Sequence, residues 1–184
     1  MEMAAKTETK TTAPKSETAK WKMVSCDPEK CTGCSVCEYI CSLTKEKAFS
    51  SQKSRIRTLR LHPLVNISVA CRLCSPAPCV TACPREALKQ SEETGIIIVD
   101  DDKCDGCGWC IEACDYGAIL LHPDLKKVRI SDLCKDEKEG PRCVKWCPEE
   151  ALDFVTKDIL SQKARIAVTK KLFKESMEAT GTQK

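Results

Sequence analysis

Sixteen of the 184 residues are cysteine, and fifteen of these fall into four groups. Group I is Cys31-x2-Cys34-x2-Cys37-x3-Cys41, and group III repeats it as Cys104-x2-Cys107-x2-Cys110-x3-Cys114. Group II, Cys71-x2-Cys74-x4-Cys79-x3-Cys83, keeps the logic with a longer loop stiffened by Pro76 and Pro78. Group IV has Ser131 where a first cysteine belongs, followed by Cys134, Cys143 and Cys147. Thiolates are soft ligands, and three of them crowded on one tight loop can reach three irons of a single iron-sulfur cube. Gly33 and Gly106 let the backbone turn sharply inside such a loop and bring amide N–H groups near the sulfurs.

The C-x2-C-x2-C-x3-C run is the bacterial ferredoxin spacing, in which the fourth cysteine points away from its own loop and ligates a different cluster. Crossed ligation then assigns one [4Fe-4S] cluster to Cys71, Cys74, Cys79 and Cys114, and another to Cys104, Cys107, Cys110 and Cys83. Cys147 completes a third with Cys31, Cys34 and Cys37. The partner site of Cys41, Cys134 and Cys143 lacks a fourth thiolate, leaving three outcomes open. They are buried thiols without a cluster, a [3Fe-4S] cluster, or a [4Fe-4S] cluster with Ser131 or Cys26 as substitute. Loss is favoured, because a hydroxyl is a poor ligand until deprotonated. Cys26, five residues before group I, reads as a small buried thiol. Structural zinc is the competing use of Cys-x2-Cys pairs, but zinc sites close with two pairs and have no role for the following x3-Cys-Pro. Zinc would be least surprising at the incomplete fourth site.

An internal repeat organises these groups. Lys30-Cys31-Thr32-Gly33-Cys34 returns as Lys103-Cys104-Asp105-Gly106-Cys107. Cys83-Pro84-Arg85-Glu86-Ala87-Leu88 returns as Cys147-Pro148-Glu149-Glu150-Ala151-Leu152, with a weaker echo from Cys114 to Ile119. Short strands are expected between the metal loops: Val65, Ile67 and Val69 alternate, residues 96–99 read IIIV, and residues 118–130 look like two strands around a Pro-Asp turn. Residues 156–178 predict a helix with Leu160, Ala164, Ala167, Val168, Leu172 and Met177 near one face, folded onto its own domain or docked on a partner. Residues 1–20 are too polar to bury and read as a disordered arm. His62 and His122 both precede proline and are expected as turn residues, while Trp109 and Trp146 are expected to pack over the clusters. Glycine-rich nucleotide fingerprints, a P-loop and a nucleophile elbow are absent from the sequence.

Composition agrees with a metal-stapled chain. Aromatics are only 4% and charged residues 31%, so the apolar core must be modest without such staples. The first twenty residues carry neither a signal-peptide apolar core nor a twin arginine, which predicts a reducing cytoplasm where disulfides are disfavoured. No stretch approaches a membrane span. The formal charge of +3 gives no argument for nucleic acid, since lysines and glutamates are interspersed. Three clusters at about −2 each would bring the loaded protein to roughly −3.

The segments KCTGCSVCEYIC, CRLCSPAPCVTACPREAL, KCDGCGWCIEAC and SDLC…GPRCVKWCPEEAL, in that order, resemble the ferredoxin-type electron-transfer subunits of molybdenum and tungsten pterin oxidoreductases. The short length, Ser131 and the stretch DPEKCTGCSVCEYICSL are most like the small subunits of aldehyde:ferredoxin oxidoreductase-type complexes such as class II benzoyl-CoA reductase. The resemblance implies an α+β fold of two interlocked bacterial ferredoxin-like (2[4Fe-4S]) units, flanked by the arm and the C-terminal helix. Within a cluster domain at 21–155, the inner unit spans about 65–125 and the outer unit joins 21–64 to 126–155, with 156–184 as helix and tail. It also implies a non-catalytic role in an anaerobic cytoplasm, passing single electrons between a large tungsten or molybdenum pterin subunit and an external donor or further redox subunits. A free-standing polyferredoxin or hydrogenase-linked carrier is the alternative, and a zinc-stabilised scaffold a remote one.

Overall fold

The computed structural model describes residues 20–62 and 65–179. The arm expected over residues 1–20 lies almost wholly outside them, as does the side chain of His62. Among the described residues, eight short strands pair into four separate two-stranded antiparallel ribbons, joined by loops and short helices in an α+β arrangement. The first ribbon joins the two ends of the cysteine region: β1 (Lys22–Cys26) pairs with β8 (Leu152–Thr156), with Val24 opposite Phe154 and Cys26 opposite Leu152. The second is the hairpin of β2 (Arg57–His62) and β3 (Val65–Val69). The third pairs β4 (Leu88–Gln90) with β5 (Ile97–Val99), and the fourth pairs β6 (Leu120–Leu121) with β7 (Val128–Arg129). The strands expected at 65–69, 96–99 and either side of the Pro-Asp turn are therefore present.

Helices carry the thiols between the ribbons. The long α1 (Val36–Glu46) holds Cys37 and Cys41 one turn apart. The single-turn helices α2 (Pro78–Thr81), α3 (Trp109–Glu112) and α4 (Arg142–Lys145) hold Cys79, Cys110 and Cys143. Pro78 opens α2 at the position where its missing N–H costs nothing. The core is thin: Trp21, Met23, Ile56, Leu73, Ile97, Ile119, Val128, Ile130 and Leu152 are buried together with five of the cysteines. Small apolar residues and sulfur thus share one interior.

The turn read around His122 is built by that residue. Its ring is buried, and Nδ1 accepts the backbone N–H groups of Asp124 and Leu125, both at 3.2 Å, while Nε2 faces Glu46 Oε2 at 3.7 Å. Glu46 and Asp132 in turn bind Arg55, and Lys45 binds Asp132 at 2.8 Å. This chain of ion pairs ties α1 to the β6–β7 turn and to the group IV loop.

The final helix, α5 (Lys157–Ala179), forms where expected, but its apolar face does not fold back onto the domain. Only its first turns touch β8 and β1, where Lys157 Nζ donates to the carbonyl of Leu73 at 2.9 Å and Leu160 is half-buried. Ile166, Val168, Leu172 and Phe173 are all exposed. No helix among the described residues is long and apolar enough to cross a membrane.

Candidate metal centre

Each cysteine loop repeats one local geometry. The residue before the second cysteine is left-handed in all four groups: Gly33 (φ +71), Leu73 (φ +49), Gly106 (φ +72) and Leu133 (φ +55). This equivalence places Ser131 in the slot filled by Cys31, Cys71 and Cys104 in the other groups. The crossing cysteines share a second geometry. Residues Glu86, Gly117 and Glu150, each three positions after the cysteine, are also left-handed, and each donates its N–H to the cysteine's own carbonyl. The next N–H then points at sulfur: Ala87 to Cys83 at 3.4 Å, Ala118 to Cys114 at 3.4 Å, and Ala151 to Cys147 at 3.3 Å. The weak sequence echo after Cys114 is thus a full structural repeat. Cys41 departs from it, since α1 runs on past it and its sulfur accepts the N–H of Arg55 at 3.3 Å.

The chain brings distant thiols together in crossed sets. Cys71, Cys74, Cys79 and Cys114 line one cavity, and Cys31, Cys34, Cys37 and Cys147 line another. Cys83 lies with Cys104, Cys107 and Cys110, close enough for their charges to act on Cys110. Cys41, Cys134 and Cys143 meet in the same way. In this set the Ser131 hydroxyl oxygen accepts the N–H of Leu133 at 3.4 Å. Cys26 sits beside Cys31 and Cys37 rather than in the incomplete set, and its sulfur accepts the N–H of Ser68 at 3.3 Å.

Burial dominates the electrostatics. It pushes the thiols of Cys71, Cys79 and Cys110 up to about 11, with neighbouring cysteines adding to the effect. Burial likewise raises Cys143 and Cys41 and takes Cys26 to about 12. A thiol so placed is costly to ionise alone, and a metal that takes the proton's place removes that cost. All sixteen cysteines are free of disulfides. Among the described residues no three His, Cys, Asp or Glu side chains are placed to grip a single metal ion. Soft, all-sulfur sets that converge from distant segments suit iron-sulfur clusters.

Two expectations need correction. Trp109 and Trp146 are 64% and 57% exposed and do not cover the thiols. Each precedes an inward-facing cysteine, and on a helical turn the neighbouring side chain points elsewhere. Sequence reasoning also missed Thr58 and Ser68, whose hydroxyls lie 3.5 and 3.4 Å from Cys37 Sγ. The available signal was the run of polar residues at alternate positions of β3.

Residues 64–157 match the family described as "4Fe-4S dicluster domain". The chain belongs to the 4Fe-4S dicluster domain family. Dicluster relatives extend the match beyond that segment. One, the aliphatic sulfonate oxidoreductase, polyferredoxin-like subunit of Pyrococcus furiosus, is 39% identical over 139 residues, covering 74% of this chain and 78% of that protein. Another, the electron transport protein HydN of Escherichia coli, is 32% identical over 162 residues, covering 77% of this chain and 91% of that one. The thiosulfate reductase electron transfer subunit PhsB of Salmonella typhi is 32% identical over 139 residues, covering 70% of this chain and 72% of its own. A solved active site complex of benzoyl coenzyme A reductase aligns with 27% identity and a TM-score of 0.43 over 73% of this chain and 75% of that one. This dicluster protein is therefore an iron-sulfur, ferredoxin-like electron-transfer chain of the kind found among oxidoreductase subunits.

Proposed function

We propose that the chain is the electron-relay subunit of a larger oxidoreductase and carries three [4Fe-4S] clusters. The ligand sets are Cys31, Cys34, Cys37 and Cys147; Cys71, Cys74, Cys79 and Cys114; and Cys104, Cys107, Cys110 and Cys83. Each cluster, when bound, takes up and releases one electron. The protein supplies thiolates, N–H donors aimed at the sulfurs, and walls that limit water. The observation that carries this reading is the crossing: Cys83 and Cys114 leave their own loops and join each other's sets. The set of Cys41, Cys134 and Cys143 holds no cube in this reading, since Ser131 offers a hydroxyl, a poor ligand until deprotonated, where the other sets have a thiolate.

Two interlocked units follow, one built on groups II and III and the other closed by groups I and IV through the β1–β8 ribbon. The order of the four cysteine motifs supports a pterin-bearing tungsten or molybdenum catalytic subunit as the partner, with class II benzoyl-CoA reductase the finest form of the reading. The relatives named as subunits of sulfonate oxidoreductase and thiosulfate reductase support the subunit role over a free-standing polyferredoxin. So does α5, whose exposed Ile166, Leu172 and Phe173 ask for cover. An anaerobic, reducing cytoplasm suits clusters held by thiolates.

The test is iron and acid-labile sulfide per chain on protein prepared without oxygen, with EPR after dithionite. About twelve irons and three reducible clusters are expected. Fifteen or sixteen irons would restore the fourth site, and a colourless zinc-loaded protein would overturn the reading.

A further inference from the structure

The β2–β3 hairpin is built inside out. On β3 the apolar Val65 is exposed and Ile67 and Val69 are only half-buried, while Asn66 and Ser68 are buried. On β2, Leu59 and Leu61 face outward, and Thr58 is the direct cross-strand partner of Ser68. Polar residues on the covered face of a ribbon cost stability unless they find partners. Here the partners are sulfurs. Thr58 Oγ1 and Ser68 Oγ stand 3.5 and 3.4 Å from Cys37 Sγ and 3.2 Å from each other, and Ser68 Oγ is 3.9 Å from Cys31 Sγ. The same hairpin presses on the loop itself, since a side chain at Gly33 would run into Asn66.

An iron-bound cysteine is a thiolate and can only accept, so the hydroxyls must donate to it. Either both donate to Cys37, or Thr58 donates to Ser68 and Ser68 passes the polarisation on. The sulfurs of the other two sets differ: among the described residues, those of Cys71, Cys79, Cys83, Cys110 and Cys114 are approached by backbone N–H donors, and Cys107 has beside it the carboxylate of Asp105, which cannot donate. An added electron spreads negative charge onto the thiolate sulfurs, and hydrogen bonds to them stabilise the reduced form.

Resting on the ligand sets proposed above, we propose that the Thr58–Ser68 pair is a redox-tuning element for the cluster of Cys31, Cys34, Cys37 and Cys147. It raises the potential of that cluster and leaves the other two untouched. The residues act through Cys37 and are positioning residues. Placed so, they bias the electron toward the end of the chain closed by β1 and β8.

The test is an EPR-monitored redox titration of anaerobic, iron-loaded full-length protein. C34S first identifies which reduction step belongs to this cluster. S68A is expected to shift that step alone to lower potential, by about tenfold in the oxidised-to-reduced ratio at fixed ambient potential, or about 59 mV for one electron. T58V shifts the same step by less, and T58S restores it. If S68A loses iron, T58V carries the measurement. An unchanged step in iron-replete variants, or equal shifts in all steps, overturns the proposal. If C34S singles out no step, the ligand assignment itself has failed.

Discussion

The backbone N–H of Ala118 points at the sulfur of Cys114, 3.4 Å away, and Cys114 lies not with its own loop but with Cys71, Cys74 and Cys79. One short segment thus delivers a ligand to a distant loop and a hydrogen bond to that ligand. The same unit recurs after Cys83 and Cys147, so the outlying thiols are placed by one rule.

Crossing has a measurable signature in paired substitutions. C83S and C104S are expected to damage one cluster, so the double variant should lose no more iron than either single one. C83S with C71S should lose about twice as much, since two clusters are then hit. Iron per chain with EPR spin counting on anaerobic protein decides it. Additive loss in the first pair would show that Cys83 serves its own loop.

Gly106 and Gly108 are two residues apart and both left-handed, but only Gly106 abuts a wall: a Cβ there would overlap the carbonyl oxygen of Lys126. Gly108 faces open space. G108A should cost about 1 kcal/mol from backbone conformation alone, whereas G106A should cost about 3 kcal/mol or more, because the β6–β7 turn must shift. Thermal unfolding of both variants, with iron content, checks the order. Equal effects would mean the turn yields easily.

Removing the ring of His122 takes the acceptor from the N–H groups of Asp124 and Leu125 and leaves a hole where the buried ring packed. H122A is expected to destabilise the protein by about 2–4 kcal/mol. Asparagine should recover part of this by offering an amide oxygen. Denaturant unfolding under anaerobic conditions gives the comparison, and a loss below about 0.5 kcal/mol would show the turn holds itself.

Truncation after Ser161 removes most of α5 while keeping Lys157 on the carbonyl of Leu73 and Leu160 at its seat. Iron content and reduction potentials should match those of the full chain, because the removed turns carry no cysteine and the ion pair lost with them, Lys163 to Asp153, is exposed. A drop in iron per chain would reveal a structural duty for the helix, whereas loss of a co-purifying large subunit would mark it as the contact.

Much of this was legible in the cysteines. Their spacing fixed the loops, the Ser131 gap and the left-handed glycines, because those follow from local geometry around a thiol. The inward face of β3 was not legible. Alternation of Val65, Ile67 and Val69 marked a strand correctly, yet an interior made of sulfur prefers Ser68 and Asn66, reversing the usual sense of the pattern. Trp109 misled for a similar reason, since the helix that turns Cys110 in turns its neighbour out, and Trp146, just past the end of α4, is exposed as well. For α5, periodicity identified the helix but could not say where the body of the protein stops beneath it.

The β1–β8 ribbon makes the first strand wait for the last. During synthesis, Lys22–Cys26 leaves the ribosome long before Leu152–Thr156 exists to pair with it, and the loop of Cys31 stands open until Cys147 emerges. Groups II and III are complete by residue 114 and have no such dependence. On the proposed ligand sets, iron delivery is then ordered in time, middle of the polypeptide first and its two extremities last, and a chain cut short before residue 147 would hold two of the three clusters beside an open loop of Cys31, Cys34 and Cys37.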